Sequence, residues 1–211
     1  MNQTMYLPKY FEENNIAVMH ELIRDYPLAT LITVNNNILE ANHIPLLLTE
    51  NADGYGILQG HIARGNPLWK EYKNDTEVLA IFHGPQSYIS PSWYASKPVT
   101  GKVVPTWNYV TVHAHGKLRF IDDAKWLRAA VTMLTEKHEA GFEQPWEVSD
   151  APDDYIEKMV KAIIGIEIVI TSLQGKWKAS QNQSKEDQQS LITGLIHQYN
   201  DEMAKLIQEK Q

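Results

Sequence analysis

Apolar positions recur at helical spacing from Ile16 to Tyr26, where Ile16, Met19, Leu22, Ile23 and Tyr26 share a face, Asn14 or Asn15 caps the first turn and Pro27 ends it. The period then changes. Leu28 to Val34 is apolar and β-branched, Asn35-Asn36-Asn37 supplies turn chemistry, and Ile38 to Thr49 runs on as a second strand, so a hairpin is predicted. Asp53-Gly54 adds a tight turn before a third strand starting at Tyr55. Gly65 to Tyr72 predicts a helix, with Asn66 as its cap and Pro67 in the first turn, and Val78 to His83 predicts a strand. Residues 84–105 form a Ser-, Pro- and Tyr-rich connection, a length that inside a domain marks a functional loop or one lying across a partner. Trp107 to Ile121 alternates as a long strand, Asp122-Asp123 caps a helix from Ala124 to Glu139, and Pro152 to Ile164 forms another helix closed by Gly165. Ile166 to Ser172 is the sixth strand. From Ser184 onward, acids in the first turn and an apolar stripe from Leu191 to Ile207 predict a C-terminal helix. The order predicts an α+β protein in which six antiparallel strands form a small barrel with peripheral helices, as a main domain over residues 1–183 and a helical extension over 184–211.

Composition narrows the function classes. The chain has 211 residues, 43% of them hydrophobic, enough to bury a sizeable core. Its 19 Lys and Arg against 26 Asp and Glu give a net charge of -7, so there is no general basic surface to neutralise a nucleic-acid backbone. Having no Cys, it carries no disulfide, thiolate nucleophile or cysteine-ligated metal, which fits a reducing cytoplasm. Met1 to Tyr6 lacks the pattern of an export signal, and no apolar run is long enough for a membrane helix, so a cytoplasmic protein without a membrane role is expected.

Three clusters carry candidate chemistry. Gly60-His61-Ile62-Ala63-Arg64-Gly65-Asn66-Pro67 places an imidazole, a guanidinium and an amide at the start of a predicted helix, where backbone N–H groups and a helix dipole favour an anion such as a phosphate. The plain alternative is a polar rim beside a helix cap. In the second cluster, Lys102 precedes Trp107-Asn108-Tyr109, where Trp107 offers contact to a heteroaromatic ring and Asn108 amide hydrogen bonds, or the aromatics simply pack a strand. The third, Gly175-Lys176-Trp177-Lys178-Ala179-Ser180-Gln181-Asn182, either closes over a ligand or is an ordinary polar turn. His113 and His115 share one strand face, but no third ligand at matching spacing makes them a metal site, and none is expected. No Walker loop, dinucleotide fingerprint or nucleophile elbow is present, and no catalytic residue can be named.

Taken together, His61-Ile62-Ala63-Arg64-Gly65-Asn66-Pro67, Tyr88-Ile89-Ser90-Pro91-Ser92-Trp93-Tyr94, Val104-Pro105-Thr106-Trp107-Asn108-Tyr109 and Lys178-Ala179-Ser180-Gln181-Asn182 resemble the PaiB family, as does the opening Met5-Tyr6-Leu7-Pro8. The resemblance implies an FMN-binding negative transcriptional regulator on a six-stranded antiparallel split β-barrel related to pyridoxamine-phosphate oxidases and flavin reductases. It also implies a homodimer with FMN at the subunit interface. His61, Ala63, Arg64 and Asn66 would hold the phosphate, Asn42 and His43 would line the ribityl chain or ring edge, and Lys102, Trp107 and Asn108 would approach the ring. Lys178, Gln181 and Asn182 would come in near the neighbouring subunit's site. Ala179 departs from the Leu more usual in the family, a change in the packing of that turn. DNA as a partner rests on the family description alone, because no helix-turn-helix is evident and the densest basic group is only Lys176, Lys178 and Lys185. Two further readings use the same fold. One is an FMN-dependent oxidoreductase acting on a small molecule with NAD(P)H. The other is a haem-handling relative using one of the eight His residues.

Overall fold

The computed structural model of the chain describes residues 5–51 and 54–210; Asp53 of the expected turn and Met1 to Thr4 lie outside the described residues. In chain order the elements are β1 (Glu12–Glu13), α1 (Ile16–Asp25), β2 (Leu28–Asn35), β3 (Ile38–Pro45), β4 (Leu47–Thr49), β5 (Ile57–Ala63), α2 (Leu68–Glu71), β6 (Thr76–Ile89) and α3 (Lys97–Thr100). They continue with β7 (Thr106–Ile121), α4 (Ala124–Glu139), α5 (Asp153–Lys161), β8 (Ile163–Lys178), α6 (Lys185–His197) and α7 (Asp201–Glu209). The fold is α+β. Its sheet runs β3-β2-β6-β7-β8-β5-β4, with β1 added on β8, and the pairs β2·β3, β2·β6, β4·β5, β5·β8 and β1·β8 are antiparallel.

The sheet has eight strands rather than the six expected, in an order with two ends. Both extra strands have a local cause. β1 is a two-residue bridge to Lys176 and Gly175, too short for any pattern to announce. The predicted strand 38–49 divides because Pro45 has no N–H to extend the ladder and the Leu46 N–H donates instead to the Pro27 carbonyl at 2.9 Å. Elsewhere the strands overrun the expected bounds. β6 continues through Gly84-Pro85 to the fully buried Ile89, shortening the expected 84–105 loop. Gly165 does not end a helix. It lies inside β8, where a Cβ would meet the Trp126 ring at 2.4 Å, so the backbone can approach that indole only without a side chain. The single C-terminal helix becomes two, broken where Tyr199 takes φ 57° and the Asn200 side chain caps α7 by accepting from the Met203 N–H.

By contacts the chain forms two units. The terminal unit comprises Met1–Leu22, His83–Val112 and Gln174–Gln211, and the central unit Ile23–Phe82 and His113–Leu173. In the terminal unit, α6 and α7 bury Leu191, Leu195, Met203 and Ile207 against Ile89, Tyr94 and Ala179. Each such leucine or isoleucine contributes about 1.5–3 kcal/mol. In the central unit, alternate residues of β2 and β5 turn Ala29, Leu31, Leu58 and Ile62 inward, and α4 and α5 join through Leu127, Ile156 and Val160.

Candidate functional site

The expected phosphate segment lies in the central unit. β5 ends at Ala63, whose Cα is in register with Ile163 of β8, and the Arg64 N–H bonds the Ala162 carbonyl at 2.8 Å. The Arg64 guanidinium is committed. Its Nη1 and Nη2 donate to the two Asp122 oxygens at 2.9 and 2.6 Å, Nε to the Lys161 carbonyl at 2.7 Å, and Nη2 also to the Ile163 carbonyl at 3.1 Å. Hydrogen bonding to Asp122 raises the Arg64 pKa, and the same bond holds the Asp122 carboxyl below its usual range. A guanidinium has five N–H donors, so one remains.

The neighbouring groups are similarly occupied. Asn66 Nδ2 donates to Asn42 Oδ1 at 2.8 Å, and Asn66 Oδ1 accepts from the Leu68 N–H. The predicted helix is only the four residues of α2, too short for a dipole that would draw an anion. His61 lies half-buried on β5, and burial lowers its pKa. His43 is exposed on β3, opposite Thr30. Ala63 is exposed at the strand end.

The other candidates lie in the terminal unit, and most converge. A cavity of about 260 Å³ is lined by Tyr94, Lys102, Val103, Val104 and Thr106 from one segment and by Lys178, Ser180, Asn182 and Gln183 from another, with Phe11 and Asn108 completing it. Its lining carries two cations and no carboxylate, in a chain of net charge -7. Asn108 is 1% exposed; its Nδ2 donates to Ser180 Oγ at 2.8 Å while its Oδ1 has no partner. A buried acceptor left unmet costs about 1–3 kcal/mol, so it marks either strain or a place prepared for a donor. Lys178 Nζ donates to Thr106 Oγ1 at 2.5 Å and to the Trp107 carbonyl. Burial, then the nearby Lys176, lowers its pKa.

Two candidates do not join the cavity. Trp107 is 55% exposed and meets Tyr88 edge-on at 6.1 Å, because strand alternation turns it away from Thr106 and Asn108. Gln181 is spent on its own turn, its Oε1 accepting from the Ala179 N–H and its Nε2 donating to the Trp177 carbonyl. Ala179 is fully buried in the core that α6 and α7 form and does not line the cavity.

The sequence reading missed several contributors. Thr106 and Ser180 stand inside the quoted motifs, and alternation with Asn108 is enough to find Thr106. Ser180 adopts φ 59°, a left-handed backbone uncommon for Ser, and is held there by Asn108 and by Gln188, whose Nε2 donates to the Ser180 carbonyl at 3.0 Å. Asp187 and Gln188 gave no signal beyond a polar first helical turn. The expected basic group is also redistributed, since Lys176 is buried, bonds the Tyr6 carbonyl at 3.0 Å and lies over the Tyr6 and Tyr109 rings. Among the described residues no cluster of His, Asp and Glu could hold a metal ion, and no helix is long and apolar enough to cross a membrane.

The fold, an antiparallel sheet with peripheral helices, is similar to that of solved split-barrel flavoproteins. A FAD and haem binding protein from Mycobacterium smegmatis superposes with a TM-score of 0.58 at 16% identity, over 79% of this chain and 73% of that one. Residues 5–172 match the family described as "Putative FMN-binding domain", and the chain belongs to that family. An uncharacterized protein of Emericella nidulans is 38% identical, with 90% of each chain covered. Protease synthase and sporulation protein PAI 2 of Bacillus subtilis is 32% identical over 98% of both chains, which bears out the PaiB resemblance.

The cofactor of this family is FMN. A flavin's pyrimidine edge carries one N–H between two carbonyls, and its ribityl chain ends in a phosphate. The terminal cavity is lined by residues of complementary chemistry: Asn108, whose buried Oδ1 is unmet, and Lys102 and Lys178, the latter with two of its three ammonium donors engaged. The residues present fit the group. The Arg64 segment has four of its five guanidinium donors engaged within the protein.

Proposed function

We propose that this chain is an FMN-binding, PaiB-like negative regulator of transcription that works in the cytoplasm as a homodimer and seats its flavin on the cavity of the terminal unit. The observation that carries the flavin site is the unpartnered, buried Oδ1 of Asn108 in an acid-free cavity with two lysines. Asn108 would accept from the flavin N–H, while Lys178 and Lys102 would donate to its carbonyl or phosphate oxygens. When bound, FMN supplies the capacity to accept and pass electrons; the residues hold it and fix the local charge.

The regulatory role follows the family description and the full-length similarity to PAI 2. Support for the homodimer comes from the β2–β3 hairpin, where Leu28 and Val34 of β2 and Ile38 and Leu39 of β3, the strand that ends the sheet order, are all more than half exposed. The split-barrel closure is part of this proposal. One observation favours an FMN-dependent oxidoreductase instead: Lys178, whose pKa is lowered by burial, lines the cavity, where it would serve as a proton donor.

Titration of the purified protein with FMN, followed by flavin fluorescence, tests the binding, and anaerobic NADH then separates the readings. Bound flavin that NADH leaves oxidised, with salt-sensitive DNA binding and a dimer by light scattering, supports the regulator. Rapid bleaching supports the oxidoreductase. Absence of flavin binding overturns both.

A further inference from the structure

The match to the FMN-binding family ends at residue 172, yet one wall of the cavity, Lys178 to Gln183, lies beyond it. That wall runs directly into α6, whose first turn carries two consecutive buried polar residues, Asp187 at 6% exposure and Gln188 at 5%. Ser184 caps the helix by accepting from the Asp187 N–H. A carboxylate at this third helical position ordinarily turns back to the cap residue's N–H. Here the Asp187 Oδ1 accepts from the Ser96 N–H and the Oδ2 from the Ser96 hydroxyl, each at 2.9 Å. Both carboxylate oxygens therefore hold one residue 91 positions away.

Ser96 governs the opposite wall. It begins α3, its carbonyl accepts from the Thr100 hydroxyl, and Thr100 Oγ1 accepts in turn from the Lys102 N–H at 3.1 Å. Between them Gly101 reverses the chain with φ 64°. A continuous run of hydrogen bonds thus joins Asp187 to the backbone of Lys102. Gln188 secures the near wall through the carbonyls of Ser180 and Gln183.

We propose that Asp187 is a positioning residue: its carboxylate clasps Ser96 and so sets the strap 96–104, with Lys102, against the wall 178–183. The C-terminal helix pair is then part of the flavin site, and affinity for FMN depends on a carboxylate outside the matched family domain. This rests on the flavin reading of the cavity given above. The clasp itself is separable from that reading, because a hydrogen-bonded strap is measurable in the absence of ligand.

The test compares the full chain with Asp187→Ala, Asp187→Asn, Ser96→Ala and the double variant Ser96→Ala with Asp187→Ala. FMN affinity is read by fluorescence titration, amide hydrogen exchange without FMN reports the strap, and thermal melting reports the fold. Asp187→Ala should weaken FMN roughly tenfold or more, the scale of losing hydrogen bonds to a charged group. It should also speed exchange at 96–104 while α6 amides stay protected. Asp187→Asn, which keeps an acceptor for the Ser96 N–H, should lie between wild type and Asp187→Ala, and the double variant should match Asp187→Ala because both changes remove one clasp. Faster exchange confined to α6 overturns the proposal in favour of a helix-capping role. Wild-type FMN affinity in Asp187→Ala overturns the link to flavin. If wild type binds no FMN, the flavin reading falls, and unchanged protection of 96–104 in Asp187→Ala then overturns the clasp as well.

Discussion

Two regions of this chain hold the polar side chains that a ligand could use, and they differ in whether those groups are already satisfied. In the central unit Arg64 spends four of its five donors on Asp122 and two carbonyls, and Asn66 is engaged with Asn42 and the Leu68 N–H. In the terminal unit Asn108 lines a cavity and is more deeply buried, yet one of its two polar atoms has no partner. A satisfied cluster is a structural lock, in which a ligand must first displace protein bonds. An unsatisfied cluster has already met the cost of desolvation and gains outright when a complementary group arrives. Residue type alone would rank the arginine segment first; hydrogen-bond bookkeeping reverses the order.

The sharpest way to break this comparison is Asn108→Leu. It removes the unmet acceptor and fills its space with an apolar group, so FMN affinity should fall on the order of 10–100-fold. Thermal stability should change little, since the lost bond to Ser180 is offset by the removal of a buried unpaired oxygen. A flavin titration beside a melting curve checks both halves, and undiminished affinity would return the site to the central unit.

Lys178→Met should have the next largest effect, weakening FMN about tenfold at neutral pH by removing a charge-assisted donor. The pH dependence has a definite sign. An anionic or carbonyl ligand favours the protonated lysine, and burial lowers the pKa of Lys178 in the free protein. Affinity should therefore be full below that lowered pKa and decline as pH rises through it, earlier than an exposed lysine would allow. In Lys178→Met this alkaline decline should be absent, which titrations across neutral to alkaline pH measure directly.

Arg64→Ala should have the smallest effect on flavin. It leaves Asp122 and the Lys161 and Ile163 carbonyls without their donor, so melting should drop by roughly a few degrees while FMN affinity stays within about twofold of wild type. This departs from the expectation raised by the sequence, in which Arg64 holds the phosphate. A large loss of affinity without a change in melting would show that Asp122 gives up the guanidinium to the ligand.

Local patterns were legible where the physics is local. The β2–β3 hairpin follows from β-branched alternation around Asn35-Asn36-Asn37, with Asn36 and Asn37 both at positive φ, and α4 from the Asp123 cap that accepts the Trp126 N–H. The overrun of β8 was hidden because Gly165 resembles a helix stop until Trp126, 39 positions earlier in the chain, explains it. The same distance problem governs the site. Lys102, Asn108, Lys178 and Asn182 were found through the family resemblance, and the structure gathers all four around one cavity. The engagement of Arg64 could not be read from the sequence, because its partner Asp122 lies 58 residues away, beyond any spacing rule. Asp187 read as an ordinary acid in a first helical turn for the same reason. Thr106 and Trp107 were within reach, since the two-residue period groups Thr106 with Asn108 and turns Trp107 away from both.

The central claim is that the unmet oxygen of Asn108 is the flavin's anchor, and the most direct measurement is a crystal structure of the full chain grown with FMN. The account predicts flavin density in the cavity between the 94–106 and 178–183 walls, with the N–H of its pyrimidine edge donating to Asn108 Oδ1 and Lys178 against one of its oxygens. Flavin bound elsewhere, with Asn108 Oδ1 still unpartnered, would contradict it.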